Sequence, residues 1–125
     1  MSNRPAEVIA AYWAAANSRD WATFGTLLAP DVVYELPQSR ERIRGREAYV
    51  QFNAEYPGDW TVEPVRIVGD GARQGVSWTR FLVDDTEQTG LCFFDLDDGL
   101  IARIHDFWPT PYQPPPGREH LTERF

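Results

Sequence analysis

The two halves of this chain follow different hydrophobic periods, and that order restricts the possible folds most. After residue 58, apolar residues alternate along four runs, "WTVEPVRIV", "GVSWTRFLV", "EQTGLCFFDL" and "LIARIHDFW". The segments between them, "GDGARQ", "DDT" and "DDG", are turn signals too short for a helical crossover, so the runs predict an antiparallel meander. Helices that precede such a meander indicate an α+β fold, with three helices on one face of a curved, mainly antiparallel sheet.

The first half predicts those helices. The segment "AEVIAAYWAAANS" places four side chains on one helical face: Ile9, Tyr12, Trp13 and Ala16. Ser2 or Asn3 can cap this helix. Asp20 is the predicted cap of a second helix, "WATFGTLLA", which Pro30 ends. A strand, "DVVYELP", and a loop, "QSRERIRG", then lead to a third helix, "REAYVQFNAEY".

Proline content divides the chain into a domain, residues 1–108, and a tail, residues 109–125. The tail, "PTPYQPPPGREHLTERF", cannot continue the sheet because proline lacks the backbone N–H that a strand ladder needs. Tyr112, Leu121 and Phe125 give the tail apolar anchors. We therefore expect it to dock on its own domain or on a partner subunit.

Charge and composition exclude several classes of function. The net charge of −7 argues against binding of nucleic acid through its phosphates. All 12 basic residues are arginine, which excludes a Schiff-base lysine and a P-loop lysine. The two histidines, His105 and His120, lack the spacing of metal ligands, so no metal site is expected.

The same composition predicts a cytoplasmic protein. No apolar run approaches the roughly 20 residues that a membrane span needs, and no signal peptide is recognisable at the N-terminus. The single cysteine, Cys92, has no partner for an internal disulfide and fits a reducing compartment.

One acid interrupts the last apolar strand, "LIARIHDFW". Because alternate residues of a strand share a face, Asp106 lies on the same side as Ile104 and Trp108, and His105 lies on the other. Asp106 is either a general base whose pKa an apolar pocket raises, or a structural acid held by a tyrosine hydroxyl or a backbone amide.

The order of elements resembles a known superfamily. The segments that carry the resemblance are "YWAAANSRDWATFGTLLAPDVVYELP", "GREAYVQF" and "DDGLIARIHDFW". Together they resemble the nuclear transport factor 2-like superfamily, most closely its SnoaL-like polyketide cyclases and ketosteroid isomerases. The resemblance extends to about Trp108 and implies a cone with an apolar pocket between the helices and the sheet.

The resemblance also argues against one reaction. Ketosteroid isomerase uses a tyrosine on the first helix and two aspartates on strands. Tyr12 falls at the tyrosine, but Leu36 falls at the basic aspartate and Cys92 at the acidic one. Steroid isomerisation by that mechanism is therefore not expected.

The polyketide cyclases, as the resemblance implies, depend on one pocket aspartate and use neither metal nor cofactor. Asp106 is then the predicted catalytic acid/base, with Tyr12 and Tyr34 as hydrogen-bond donors to a developing oxyanion. The ligand-binding residues that the resemblance implies are Leu36, Phe52, Cys92, Phe94, Ile104 and Trp108.

Two classes of function remain open. The chain is either a cofactor-independent isomerase, cyclase or hydratase acting on a small, apolar, carbonyl-containing metabolite of polyketide or terpenoid type, or a module of the same fold that binds a ligand or mediates assembly without catalysis. Two strands, "GVSWTRFLV" and "GLCFFDL", are apolar on both faces, whereas the helices can cover only one. A homodimer through the outer face is therefore expected.

Overall fold

The computed structural model describes residues 4–125, and within that range it contains three helices and six strands. The predicted caps Ser2 and Asn3 lie outside the described residues. The helices are α1 (Arg4–Ser18), α2 (Trp21–Thr26) and α3 (Arg46–Ala54). The strands are β1 (Leu28–Leu36), β2 (Glu41–Arg44), β3 (Trp60–Asp70), β4 (Gln74–Val83), β5 (Thr86–Asp97) and β6 (Leu100–Phe107).

All six strands form one curved, unclosed sheet in the order β2-β1-β6-β5-β4-β3. The four long strands pair antiparallel, each with the next along the chain, and this confirms the predicted meander. The β1–β6 pair is parallel and makes the sheet mixed. With helices packed on the sheet, the molecule has the predicted α+β cone architecture.

Two predicted boundaries in the first half were wrong. The predicted loop "QSRERIRG" contains β2, a four-residue strand that pairs with β1 through Tyr34 and Ile43. Because β2 is a charged edge strand without alternating burial, no hydrophobic period reveals it. The second helix ends at Thr26 rather than at Pro30, because Leu28 already pairs with Ile101 of β6.

The inner face of the sheet and helix α1 build the core together. Helix α1 buries Ile9, Tyr12 and Ala16, and it packs mainly on β3, with smaller contacts to β4 and α2. At its end, the Asn17 side chain accepts from the backbone N–H of Val62 at 2.8 Å and donates to the Val62 carbonyl at 2.7 Å. This two-way bond fixes the end of α1 against β3.

Aspartates stabilise the start of helix α2 and two of the hairpin turns. Asp20 caps α2 as predicted, since its carboxylate accepts from the backbone N–H of Thr23 at 3.1 Å. Asp84 and Asp98 adopt positive φ angles of 52° and 54° in the two acidic hairpin turns, a conformation that aspartate tolerates better than most residues.

The tail contains no helix or strand, and its predicted anchors are exposed in the single chain. Tyr112 and Leu121 keep 80% and 78% of their surface accessible, and Phe125 is fully accessible. Docking of the tail thus stays a prediction.

Candidate functional site

A partly enclosed cavity of about 50 Å³ lies between the inner face of the sheet and helices α1 and α3. Its wall is almost entirely aromatic or aliphatic, with one carboxyl group. The lining residues are Tyr12, Trp13, Ala16, Tyr34, Tyr49, Phe52, Asn53, Tyr56, Trp60, Val62, Phe81, Asp106 and Trp108. A wider, open depression of about 500 Å³ between α2 and α3 has no buried ionisable group in its wall.

Strand register brings Asp106 to this cavity. Asp106 pairs with Cys92 across the β5–β6 ladder, and both side chains are buried on the inner face. The Tyr34 hydroxyl donates to Asp106 Oδ2 at 2.5 Å, and the Cys92 thiol donates to Oδ1 at 3.0 Å. Each carboxylate oxygen therefore has an internal donor.

Burial raises the pKa of Asp106 above its ordinary value, and hydrogen bonds from Tyr34, Cys92 and Trp108 partly offset this rise. Burial likewise raises the pKa of Tyr34 and Cys92, which the nearby Asp106 charge raises further. The phenol and the thiol consequently keep their protons at neutral pH, and Asp106 is the group here that exchanges a proton most easily.

Tyr12 and Tyr49 form a second polar pair in the cavity wall. Their hydroxyl groups hydrogen-bond to each other, and both side chains are fully buried. Since one hydroxyl donates to the other, the proton of the accepting hydroxyl stays available to a ligand. Tyr49 also stacks on Tyr34, with ring centroids 4.4 Å apart.

The sequence did not single out Tyr49, although the signal existed. Tyr49 precedes Phe52 by three residues on α3, a spacing that places both on one helical face. The two rings stack with centroids 6.3 Å apart, and both line the cavity. Recognition of Phe52 as a pocket residue therefore implied Tyr49 as well.

The structure brings together five of the nine predicted site residues. Those that line the cavity are Tyr12, Tyr34, Phe52, Asp106 and Trp108. The other four do not line it. Cys92 lies behind Asp106, Phe94 packs edge-on against Tyr12 at 5.2 Å, and Ile104 is fully buried in the core. Leu36, at the end of β1, packs on the rim of the core.

Trp108 closes one side of the cavity. Its backbone N–H donates to Gln38 Oε1 in the β1–β2 turn, and its ring packs edge-on against Phe81 at 5.2 Å. The ring also lies over Gly90, where an added Cβ would approach Trp108 to 3.4 Å and the Thr79 hydroxyl to 2.9 Å. Because Gly90 has no side chain, the Trp108 indole can pack directly on the strand at this position.

Two further observations concern other classes of site. Among residues 4–125, no three side chains of His, Cys, Asp or Glu gather where they could hold a metal ion. No helix in that range is long and apolar enough to cross a membrane.

Comparison with known proteins identifies the family that the chain resembles. The model of the SnoaL-like domain matches residues 9–104, a range that ends just before Asp106. A proposed ketosteroid isomerase from Kribbella flavida DSM 17836 is 44% identical over 98% of this chain and 90% of its own, with a TM-score of 0.95. No curated protein sequence matches the chain significantly.

Two more distant structures show the fold alone. A proposed polyketide cyclase from Xanthomonas campestris is 24% identical over 86% of this chain and 93% of its own, with a TM-score of 0.70. A LEH-like epoxide hydrolase from M. tuberculosis is 23% identical over 85% of this chain and 83% of its own, with a TM-score of 0.71.

Proposed function

The chain belongs to the SnoaL-like domain family, and from that premise we propose that it binds a small carbonyl compound in the aromatic cavity and moves a proton on it, with Asp106 as the base. The observation that carries the proposal is the position of Asp106. It is the one carboxyl group in an otherwise uncharged wall, and burial raises its pKa above the ordinary value, which makes its carboxylate a stronger base.

The hydrogen bonds around Asp106 support distinct roles for the tyrosines in this reaction. Tyr34 is engaged with Asp106 and so holds the base in place. The Tyr12–Tyr49 pair has a hydroxyl proton to give, and it supplies the hydrogen bond to the carbonyl oxygen. Asp106 removes a proton from the carbon next to the carbonyl, the electron pair moves to the oxygen, and the phenol pair stabilises the resulting enolate. Asp106 then returns the proton to the same or a neighbouring carbon.

Cavity volume limits the ligand. A volume of about 50 Å³ is roughly a third of the ~150 Å³ cavity that takes up benzene. A ligand of a few heavy atoms fits without rearrangement, whereas a polyketide, terpenoid or steroid needs the aromatic side chains around the cavity to move. We therefore place small ketones and aldehydes ahead of the larger compounds, and steroid isomerisation last.

A proton-exchange assay tests this function and does not require that the natural substrate be known. Ketones and aldehydes of graded size, with one 3-ketosteroid, are first screened for binding by thermal shift. Exchange of the hydrogen next to the carbonyl in D₂O is then followed by NMR. The native chain is expected to accelerate exchange of a small ligand, and Asp106→Asn to lose about 10²–10⁴ of that rate with binding retained.

Asp95→Asn, which changes an exposed acid on β5, is the matched control and keeps the native rate. Equal exchange by Asp106→Asn and the native chain would contradict the role of Asp106. Binding without exchange by the native chain would favour the alternative, a ligand-binding module without catalysis. Turnover of the steroid would replace the small-ligand proposal.

We also propose that a second copy of this chain covers the outer face of the sheet. The exposed apolar side chains there are Val68, Trp78 and Phe93, and Phe107 packs edge-on against Phe93 at 5.9 Å. Charges of both signs surround them, including the Arg80 pairs with Glu63 and Glu87. A surface that is apolar at its centre and mixed in charge at its rim suits contact with an identical surface.

The tail and the cellular location complete the proposal. Because Tyr112, Leu121 and Phe125 are exposed on the single chain, we place the tail against the partner subunit of the dimer. The buried, reduced Cys92 supports a cytoplasmic location, where thiols stay reduced.

A further inference from the structure

A row of polar side chains crosses the inner face of the sheet behind the cavity. Ser77 of β4 pairs with Cys92 of β5, and Cys92 pairs with Asp106 of β6. All three side chains are buried on a mainly apolar face, with accessible fractions of 0%, 2% and 5%. Burial of polar groups costs free energy unless each group has a hydrogen-bond partner, so the partners of these three side chains need to be identified.

The row begins at helix α1. The Trp13 indole N–H donates to Ser77 Oγ at 3.1 Å. An indole is a donor only, so Ser77 accepts there and keeps its own proton to give. Cys92 is the cross-strand neighbour of Ser77, so that proton can be donated to the Cys92 sulfur, an interaction that acts to lower the pKa of the thiol. Cys92 in turn donates to Asp106 Oδ1 at 3.0 Å.

The Trp13 end of this chain of hydrogen bonds fixes its direction. Trp13 can only donate, so each group after it accepts from the α1 side and donates toward Asp106. Every bond in the row therefore points from α1 toward Asp106. A proton on Oδ1 would face the Cys92 S–H rather than an acceptor, so the row favours the carboxylate over the carboxylic acid.

We propose that Trp13, Ser77 and Cys92 are positioning residues that hold Asp106 ionised and in one orientation at the cavity wall. Ser77 and Cys92 do not line the cavity and act through Asp106 alone, whereas Trp13 also forms part of the cavity wall. The inference rests on the proposed function, because it explains how a buried acid stays ready to accept a proton. The other titratable groups facing Asp106 are phenols, Tyr34 and Tyr49, which are uncharged at neutral pH.

The test measures the titration of Asp106 in the chain without ligand. The chain is labelled with ¹³C at the aspartate carboxyl carbon, and the Asp106 signal is identified by its loss in Asp106→Asn. Cys92→Ala removes a hydrogen bond to a charged group, so the titration midpoint is expected to rise by about one pH unit. Trp13→Phe keeps an aromatic ring, removes the donor that sets the direction, and is expected to raise the midpoint by less.

Two variants separate positioning from mere packing. Cys92→Ser restores a donor at the same place, and its midpoint is expected to lie closer to that of the native chain than to that of Cys92→Ala. Leu96→Val trims a buried residue of the same strand outside the row and is expected to lower the melting temperature without moving the midpoint.

Unchanged midpoints in both Cys92→Ala and Trp13→Phe would overturn the inference, as would an equal rise in Leu96→Val. Because no ligand takes part, failure here leaves the proposed reaction standing. Conversely, a midpoint that rises as expected together with no hydrogen exchange on any ligand would contradict the reaction and keep the positioning row.

Discussion

Donors from two neighbouring strands, Tyr34 of β1 and Cys92 of β5, hold the Asp106 carboxylate. Alternation along "LIARIHDFW" placed it on the inner face with Ile104, opposite His105, and the structure has that arrangement. The identity of its partners depends on which strands lie beside β6. Cys92 reaches it across the antiparallel β5–β6 pair, which belongs to the predicted meander. Tyr34 reaches it through the parallel β1–β6 pair, whose strands are far apart in the sequence.

The raised pKa of Asp106 makes stability depend on pH. The folded state holds this proton more tightly than the unfolded chain, so unfolding releases it between the ordinary value of 3.8 and the raised value. The contribution of Asp106 to stability is therefore full below pH 3.8 and is lost as the pH rises through the raised pKa.

We expect the free energy of unfolding of the native chain to fall relative to that of Asp106→Asn across this window, and the difference to be constant above it. Each tenfold difference in proton affinity corresponds to about 1.4 kcal/mol. Urea denaturation at a series of pH values measures the difference, with Leu96→Val, which removes no titratable group, as the control whose offset from the native chain is constant with pH. A difference that grows with rising pH in favour of the native chain would show that the pKa of Asp106 is lowered.

At the scale of elements, the meander and the three helices could be predicted because each has a clear period or turn signal. Strand β2 could not, since four largely exposed residues at an edge show no alternation. The sequence predicts a helix through residues 27–29 because local propensity does not record that Leu28 pairs with Ile101, over 70 residues away. The segments that the sequence did not predict are thus those whose conformation depends on strand pairing rather than on their own residues.

The contact between α1 and β4 gives a test of packing. A Cβ added at Gly75 would approach Ile9 Cδ1 to 2.4 Å and the Val68 carbonyl oxygen to 3.2 Å, so Gly75→Ala must shift the buried Ile9 side chain or the helix that carries it. We expect a loss of about 1–3 kcal/mol in the free energy of unfolding, the range typical of overpacked cores.

Gly25→Ala is the matched control for that measurement. Gly25 lies in helix α2, and its added Cβ would contact only the Val50 side chain, at an ordinary distance of 3.7 Å. Alanine is favoured over glycine in a helix by about 0.5–1 kcal/mol, so this variant is expected to be neutral or more stable. Equal stability of Gly75→Ala and the native chain would show that α1 does not press on β4 as described.

At the scale of the whole molecule, the outer face of the sheet predicts the oligomeric state. Phe93 is 47% exposed at the centre of this face, and Phe93→Arg is expected to convert a dimer to a monomer because a charge in an apolar interface cannot be solvated. Analytical ultracentrifugation at micromolar concentration measures the change. Gln51→Arg, on the exposed side of α3, is expected to leave the dimer intact.

A monomeric native chain in that experiment would refute the dimer. Deletion of residues 113–125 extends the comparison to the tail. If the tail docks on the partner subunit, the deletion lowers the melting temperature of the native dimer but not that of the Phe93→Arg monomer. An equal effect in both backgrounds would place the tail on its own domain, and no effect in either would show that it does not dock.

The two free edges of the open sheet have a consequence for behaviour at high concentration. One edge is β2, which is short and carries Glu41, Arg42 and Arg44. The other is β3, which is long, but its ladder is irregular between Pro64 and Arg66. Fibrils grow by adding strands to a long, flat, uncharged edge, and neither edge offers one. Crowded solutions of this chain are therefore expected to resist amyloid formation, even though its outer sheet face is apolar.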